Sequence, residues 1–438
     1  MVNGIWYSNK AFSGKKICKA IKKLSSGESE IVGISDTSDS YHKGRLPSSF
    51  LIPQDDPQYN KDGTNALGMY GYLLNSRSWI YDAGLSLLVF AVSGDFDICI
   101  EMQDRLKDEQ NIDGSFNFSY DLYIGQLFEG YVRTGAIGWL VWGMCYYALK
   151  SGDTQFIPMI KKASDWLCGR QITKQSDPRF GLLTGGYGAY STDGYTYEPT
   201  VMQWCSIEHN CSALQALHGT ALITGDTKYA KVAENIKHSL LAKAYDRENK
   251  RFVQGVRLEG NDGAWAVDCC TWAGKQALSV VGFKIPTDCA STAYDEFHVS
   301  NIQITQSINP ENYNTRYSLD SPTEGFKPYS DRDGGYSNSP NIVWTEGTLG
   351  YCALQSALGN WDEVKRFVDA TIDIQNCNGS TGGVLYATTT HASLPWEFHV
   401  WESVVSSAWL FLVIKCPDVL FPIVMKKANV HNKMKEGG

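Results

Sequence analysis

The chain has no apolar run long enough to cross a bilayer, and its first residues, MVNGIWYSNKAFSGKK, lack the apolar core of a signal peptide. Neither a membrane protein nor a visibly exported one is expected. Basic charge is also short: 39 Lys and Arg stand against 47 Asp and Glu, a formal net charge of −8. Nucleic acid and anionic membranes need clustered cations. The one such cluster, Lys15, Lys16, Lys19, Lys22 and Lys23, reads as the solvated face of a short helix. The 12 cysteines include no CxxC pair and no Cys/His spacing suited to zinc. Scattered mostly singly through apolar stretches, they read as buried free thiols in a reducing, cytoplasmic compartment, with export and a few disulfides as the alternative if a signal has been removed. With eight His and no His/Asp/Glu cluster at ligand spacing, no metal and no cofactor is expected.

Aromatic residues are plentiful, with 13 Trp and 24 Tyr. Beyond core packing, such side chains stack on the apolar faces of sugar rings and line concave sites. A repeating pattern then organises the chain: a polar start, a helix dense in Ala, Leu and Trp, a break at Gly-Asp, an amphipathic helix and a Gly-rich turn. The first copy runs from Tyr81-Asp82-Ala83-Gly84-Leu85 through Ser93-Gly94-Asp95 to Gly114. The second begins at Arg133-Thr134-Gly135-Ala136 and breaks at Ser151-Gly152-Asp153. The third begins at Ser206-Ile207-Glu208-His209-Asn210 and breaks at Thr224-Gly225-Asp226. Copies four to six start at Ala266-Val267-Asp268-Cys269, Trp344-Thr345-Glu346-Gly347 and Val400-Trp401-Glu402-Ser403, the last placing its outer helix after Pro417.

The first helix of each pair is apolar nearly all round, as in Gly138-Trp139-Leu140-Val141-Trp142-Gly143-Met144, which demands burial on every side. The second carries Lys and Glu on one face, as in Lys228 to Asn235, and belongs on the surface. Six such pairs predict an all-α, single-domain (α/α)6 barrel over residues 1–438. Residues 1–75 form an N-terminal extension and loop packing on it. Long segments at about 25–75, 172–204 and 300–340 read as functional loops.

In a closed barrel the inner helices run parallel, so their starts ring one mouth. Asp82, Glu208, Asp268, Glu346 and Glu402 stand at five of those starts, with Arg133 at the sixth. Acids in a first turn also complement the helix dipole, so each could be structural. As a set flanked by Trp79, Tyr81, Trp204, Trp265, Trp344 and Trp401, they read as an active-site rim. Paired carboxylates are what glycosidic cleavage needs, one protonated and one ionised. Glu208, Asp268, Glu346 and Asp82 are the expected catalytic pool. His209, Asn210, Trp79, Tyr81, Arg133, Tyr187, Trp204, Trp265, Trp272, Asp333, Tyr336, Trp344, Trp401 and Glu402 are the expected substrate-binding residues.

The stretches Tyr81 to Leu85, Gln110 to Phe116, Ser206 to Asn210, Asp268 to Trp272 and Trp344 to Thr348 resemble those of the six-hairpin glycosidase superfamily, over about residues 75–430. The resemblance implies a glycoside hydrolase acting on an oligo- or polysaccharide, usually with inversion, or a sugar epimerase, isomerase or lyase on the same scaffold. Two rival readings remain. Asp268-Cys269-Cys270-Thr271 also resembles the acid motif of squalene-type terpene cyclases, whose Gln-and-Gly-aromatic repeat should recur but does not. A glycan-binding barrel whose acids are only caps would carry the same Trp residues.

Overall fold

The computed structural model describes residues 46–52, 77–121, 127–129, 131–190, 197–305, 317–332, 339–390 and 398–422. Within them lie five complete helical hairpins and the inner helix of a sixth. The inner helices are α1 (Ile80–Ser93), α3 (Thr134–Ser151), α5 (Ile207–Thr224), α7 (Val267–Val281), α9 (Thr345–Leu358) and α11 (Val404–Lys415). The outer ones are α2 (Phe96–Glu109), α4 (Ile157–Cys168), α6 (Thr227–Ser239), α8 (Lys284–Phe297) and α10 (Trp361–Gln375). The break motifs act as expected: Gly152 and Gly225 end α3 and α5 in the left-handed conformation (φ 77° and 70°) that favours glycine. Consecutive inner helices run parallel. Gly84 on α1 lies against Trp139 and Leu140 on α3, and Gly138 on α3 against Ser212 and Ala213 on α5. A Cβ on Gly84 would sit 2.7 Å from the Trp139 backbone, so a larger residue would wedge the ring open there. The fold is the all-α (α/α)6 barrel. No helix among the described residues is long and apolar enough to cross a membrane. The eleven cysteines among them are free thiols.

Of the sixth hairpin, the described residues after α11 reach only Pro422. After α11 the chain does not turn into an outer helix among the described residues. Pro417–Val419 forms a single 3-10 turn, and the chain passes beneath the barrel. Three inner helices hold it there. Lys275 Nζ donates to Pro417 O at 2.7 Å, Trp142 Nε1 to Val419 O at 2.9 Å, and Phe421 N to Gln215 Oε1 at 3.1 Å. Pro417 cannot donate a helical hydrogen bond, and the buried polar groups of the barrel floor satisfy the backbone instead. Phe421 enters a cluster with Trp139, Trp272 and Trp409, at centroid distances of 5.1, 5.0 and 6.3 Å. The barrel is therefore filled with aromatic rings at this end.

At the opposite end each inner helix is entered from extended backbone. Strands Arg77–Trp79, Val132–Arg133, Cys205–Ser206 and Glu402–Ser403 precede α1, α3, α5 and α11, and each pairs with a loop strand. Single bridges, Ala266 with Tyr329 and Trp344 with Ala387, do the same before α7 and α9. Of the long loops named from sequence, 172–204 supplies Gly186–Tyr190 for Val132–Arg133 and 300–340 supplies Tyr329 for Ala266. Phe50–Leu51 from the N-terminal segment joins the same rim, paired with Glu402–Ser403.

Candidate active site

Extended rim backbone fixes where each helix begins, and the functional side chains are registered from that point. The cap residues of α5, α7 and α9 are Ser206, Ala266 and Trp344. Two residues further on stand Glu208, Asp268 and Glu346, the same offset on three successive inner helices. On α1 that offset is Tyr81, followed by Asp82; on α3 it is Gly135. None of these acids is the side-chain cap of its helix: Ser206 caps α5 by accepting from His209 N, while α7 and α9 have no side-chain cap. The first-turn dipole still favours their charged forms.

Glu208 and Asp268 meet as a hydrogen-bonded pair, with the Cys269 thiol 4.0 Å from Glu208 Oε1. Asp268 also accepts from Cys269 N at 2.9 Å. Burial raises both carboxyls, and the charges of Asp268 and Glu346 push Glu208 further up. Two buried carboxyls in hydrogen-bond contact do not both ionise readily, so the couple holds one proton and one negative charge between them. Glu346 is held by the Tyr81 hydroxyl, which itself accepts from Trp409 Nε1 at 2.9 Å. Burial and the Asp268 and Asp82 charges raise Glu346 to about 8, against the Tyr81 hydrogen bond that lowers it. Burial raises Asp82 to about 7, opposed by a hydrogen bond from Ser49. Four carboxyls thus share one mouth in graded protonation states.

His209 occupies the room that Gly135 leaves on α3, where a Cβ would come 2.4 Å from its Cδ2. Its ring lies 5.2 Å from Trp204. Burial and the Arg133 charge push it down to about 3, so it is a neutral imidazole, and its Nδ1 is buried with no hydrogen-bond partner. The Glu208, Asp268 and Cys269 donor atoms lie within 4.8 Å of one another. That grouping is a possible set of metal donors which the spacing in sequence did not suggest.

Several expected binding residues are committed elsewhere. Asn210 is fully buried: its Oδ1 accepts from Leu183 N, and its Nδ2 donates to Leu183 O and Ser206 O, so no polar atom is left for a ligand. Glu402 lies before the α11 cap rather than after it. Its carboxylate is clasped by Thr381 N, Thr381 Oγ1 and Gly383 N. Trp401 is buried and stacked on His399 at 4.0 Å. Trp265 is sandwiched between Arg251 and Arg332, and Trp272 belongs to the floor cluster. In the structure these five are engaged in packing and backbone contacts within the fold. Trp344 and Trp79 are in edge contact with Phe398 and Phe50 beside the mouth. Arg133 donates to Val132 O and Gly188 O, and Tyr187 is exposed on the neighbouring strand. Asp333 and Tyr336 lie outside the described residues. Two contributors were missed in sequence. Trp409 sits in the middle of an apolar helix, and Tyr386, whose hydroxyl feels Glu346, Asp82 and Asp268, lies in a Thr-rich loop without periodicity.

Neither a family model nor a curated protein matches the chain. Solved structures do. A glycosidase variant in complex with glucose matches with a TM-score of 0.57 at 11% identity, covering 93% of this chain and 96% of that one. A GH76 alpha-mannanase from Bacteroides thetaiotaomicron matches at 0.55 and 10%, covering 93% and 97%. A D-mannose isomerase matches at 0.55 and 11%, covering 93% and 100%. The chain shares their six-hairpin toroid. At such identities the likeness is one of fold, and function has to be argued from the site.

Proposed function

We propose that the protein is a glycoside hydrolase acting on an oligo- or polysaccharide at the acidic mouth of the barrel, with inversion. The carrying observation is the convergence of three buried carboxyls at one offset on three successive inner helices: the hydrogen-bonded pair Glu208 and Asp268, and Glu346 held by the Tyr81 hydroxyl. General acid–base cleavage of a glycosidic bond requires one carboxyl that holds its proton near neutral pH and one that does not. Glu346, raised to about 8, donates to the leaving oxygen. The Glu208–Asp268 couple, carrying one negative charge, takes the proton of the attacking water. Asp82 adds negative charge beside Glu346 and helps hold its proton. Trp204 and Tyr187 offer the sugar faces to stack on. Three of the structures that share the fold are described as glycosidase or mannanase, which agrees with this reading.

One observation favours a second reading on the same scaffold. His209 opens α5 beside Trp204, meets the Gly185 backbone and stays a neutral imidazole, the side-chain type that transfers protons in sugar epimerisation or isomerisation, although burial that pushes it to about 3 makes it a weak base. Product analysis separates the two. Purified protein is incubated with a panel of oligo- and polysaccharides and read by mass spectrometry beside Glu346→Gln and Glu208→Gln. Shorter sugars that fall by roughly 100-fold or more in both variants establish the hydrolase. A product of unchanged mass but altered mobility, lost in His209→Ala, establishes the isomerase and overturns the hydrolase.

A further inference from the structure

Trp409 Nε1 is a donor only, and at 2.9 Å from Tyr81 Oη it obliges that oxygen to accept. A phenol has one proton. With the acceptor side taken, the Tyr81 O–H must point to its other neighbour, Glu346 Oε1. The direction of the chain, Trp409 to Tyr81 to Glu346, is therefore fixed by the chemistry of its first member. While Tyr81 donates to it, Oε1 of Glu346 is an acceptor, and an acid proton on this residue resides on Oε2.

The donor at the head of the chain is itself immobile. Trp409 is fully buried, stacked on Trp272 at 5.7 Å and 16°, with Trp139 edge-on at 5.7 Å. Phe421 closes the cluster from below with φ +51°, a left-handed conformation that a bulky residue adopts only when its surroundings impose it. Hydrogen bonds from Trp142 and Lys275 to Val419 O and Pro417 O, and from Phe421 N to Gln215 Oε1, supply that constraint.

We infer that Tyr81 and Trp409 are positioning residues that commit Glu346 to a single reactive oxygen, Oε2. The inference rests on the reading of Glu346 as the proton donor, and its test must be able to fail separately. The groups facing Glu346 are Tyr81 and Asp82 from α1, Glu208 from α5, Asp268 from α7 and Tyr386 from the loop before α11. Loss of the Tyr81 hydroxyl removes a donor that favours the carboxylate, so the Glu346 titration must move to higher pH.

The test follows the carboxylic C=O band of Glu346 by difference infrared spectroscopy across pH, with Glu346→Gln as the subtrahend to remove the other carboxyls. It needs no substrate. In Tyr81→Phe the band is expected to persist about one pH unit higher than in the wild type, the size of one charge-assisted hydrogen bond. Trp409→Phe, which weakens Tyr81 as a donor, shifts it in the same direction by less. The alkaline limb of the turnover profile moves with the band, and turnover falls with KM nearly unchanged. A band whose titration is unmoved in both variants, or moved to lower pH, overturns the inference. If the wild type cleaves no sugar yet the band moves as described, the hydrolase reading fails and the positioning role stands.

Discussion

Glu346 offers a measurement of how much folding free energy the site holds against itself. Its carboxyl is 5% exposed and raised from 4.5 to about 8 by burial and by the Asp268 and Asp82 charges. A carboxyl raised on folding binds more protons in the folded than in the unfolded chain between those two values. Its stabilising contribution is complete below the unfolded value and is lost as pH rises towards the folded one. Glutamine keeps an acceptor for the Tyr81 hydroxyl and cannot ionise. Glu346→Gln should therefore match the wild type closely near pH ~5 and exceed it increasingly up to pH ~8, at a limiting slope of about 1.4 kcal/mol per pH unit. Integrated over that window the gap is about 3 to 4 kcal/mol. For a chain of 438 residues with roughly 2 cal/mol/K of unfolding entropy per residue, 1 kcal/mol shifts Tm by about 1 °C. The expected gain for the variant is thus near zero at pH ~5 and about 4 °C at pH ~8. Differential scanning calorimetry of both proteins across that range reads it directly. A gap that stays constant with pH would refute the reasoning, because Glu346 would then not be titrating between the two states. A gap that widened towards acid would reverse its sign.

Asn210→Ala leaves Leu183 N and O without their side-chain partner in a buried setting, and should cost about 2 to 4 kcal/mol in urea unfolding while sugar binding at the mouth is unchanged. A loss of affinity without loss of stability would return Asn210 to the binding site. Lys275 is buried beneath the barrel and pushed down to about 8 by desolvation. A base lowered on folding opposes folding while charged, so stability gains as pH rises from about 8 to 10.5. Lys275→Met removes that term. Relative to the variant, the wild type should gain roughly 3 kcal/mol over this interval, followed by chemical unfolding at matched pH. Parallel curves would mean that the ammonium is already compensated by Pro417 O and Asp418.

Most of the barrel was legible because each of its rules is local. All-round apolar helices announce the inner ring, amphipathic ones the outer, and Gly-Asp breaks mark the turns. The course of residues 417–421 was not legible, because their apolar pattern suits a helix as well as it suits the barrel floor that takes them up. Phe421 fits among three tryptophans that lie far apart in sequence, and no window of local sequence contains that information. The rim strands escaped for a related reason. They are mostly two or three residues long, too short to show a period of two, and their partners come from segments up to 353 residues away (403 − 50), as with Phe50 and Ser403.

The acids show where legibility stops. Aspartate and glutamate stand near helix starts both when they work and when they merely hold a loop, so residue type alone cannot separate Glu346 from Glu402. Register can. Glu208, Asp268 and Glu346 each lie two residues after the cap, which turns them into the mouth; Glu402 lies one residue before it, still in strand, and faces the Thr381–Gly383 backbone. Applied to α1, the same count selects Tyr81 ahead of Asp82, and Tyr81 is the residue that reaches Glu346. The cap positions needed for that count depend on rim strands contributed by distant loops. Three acids at one offset are therefore brought together only through tertiary structure, although every one of them was visible in the sequence.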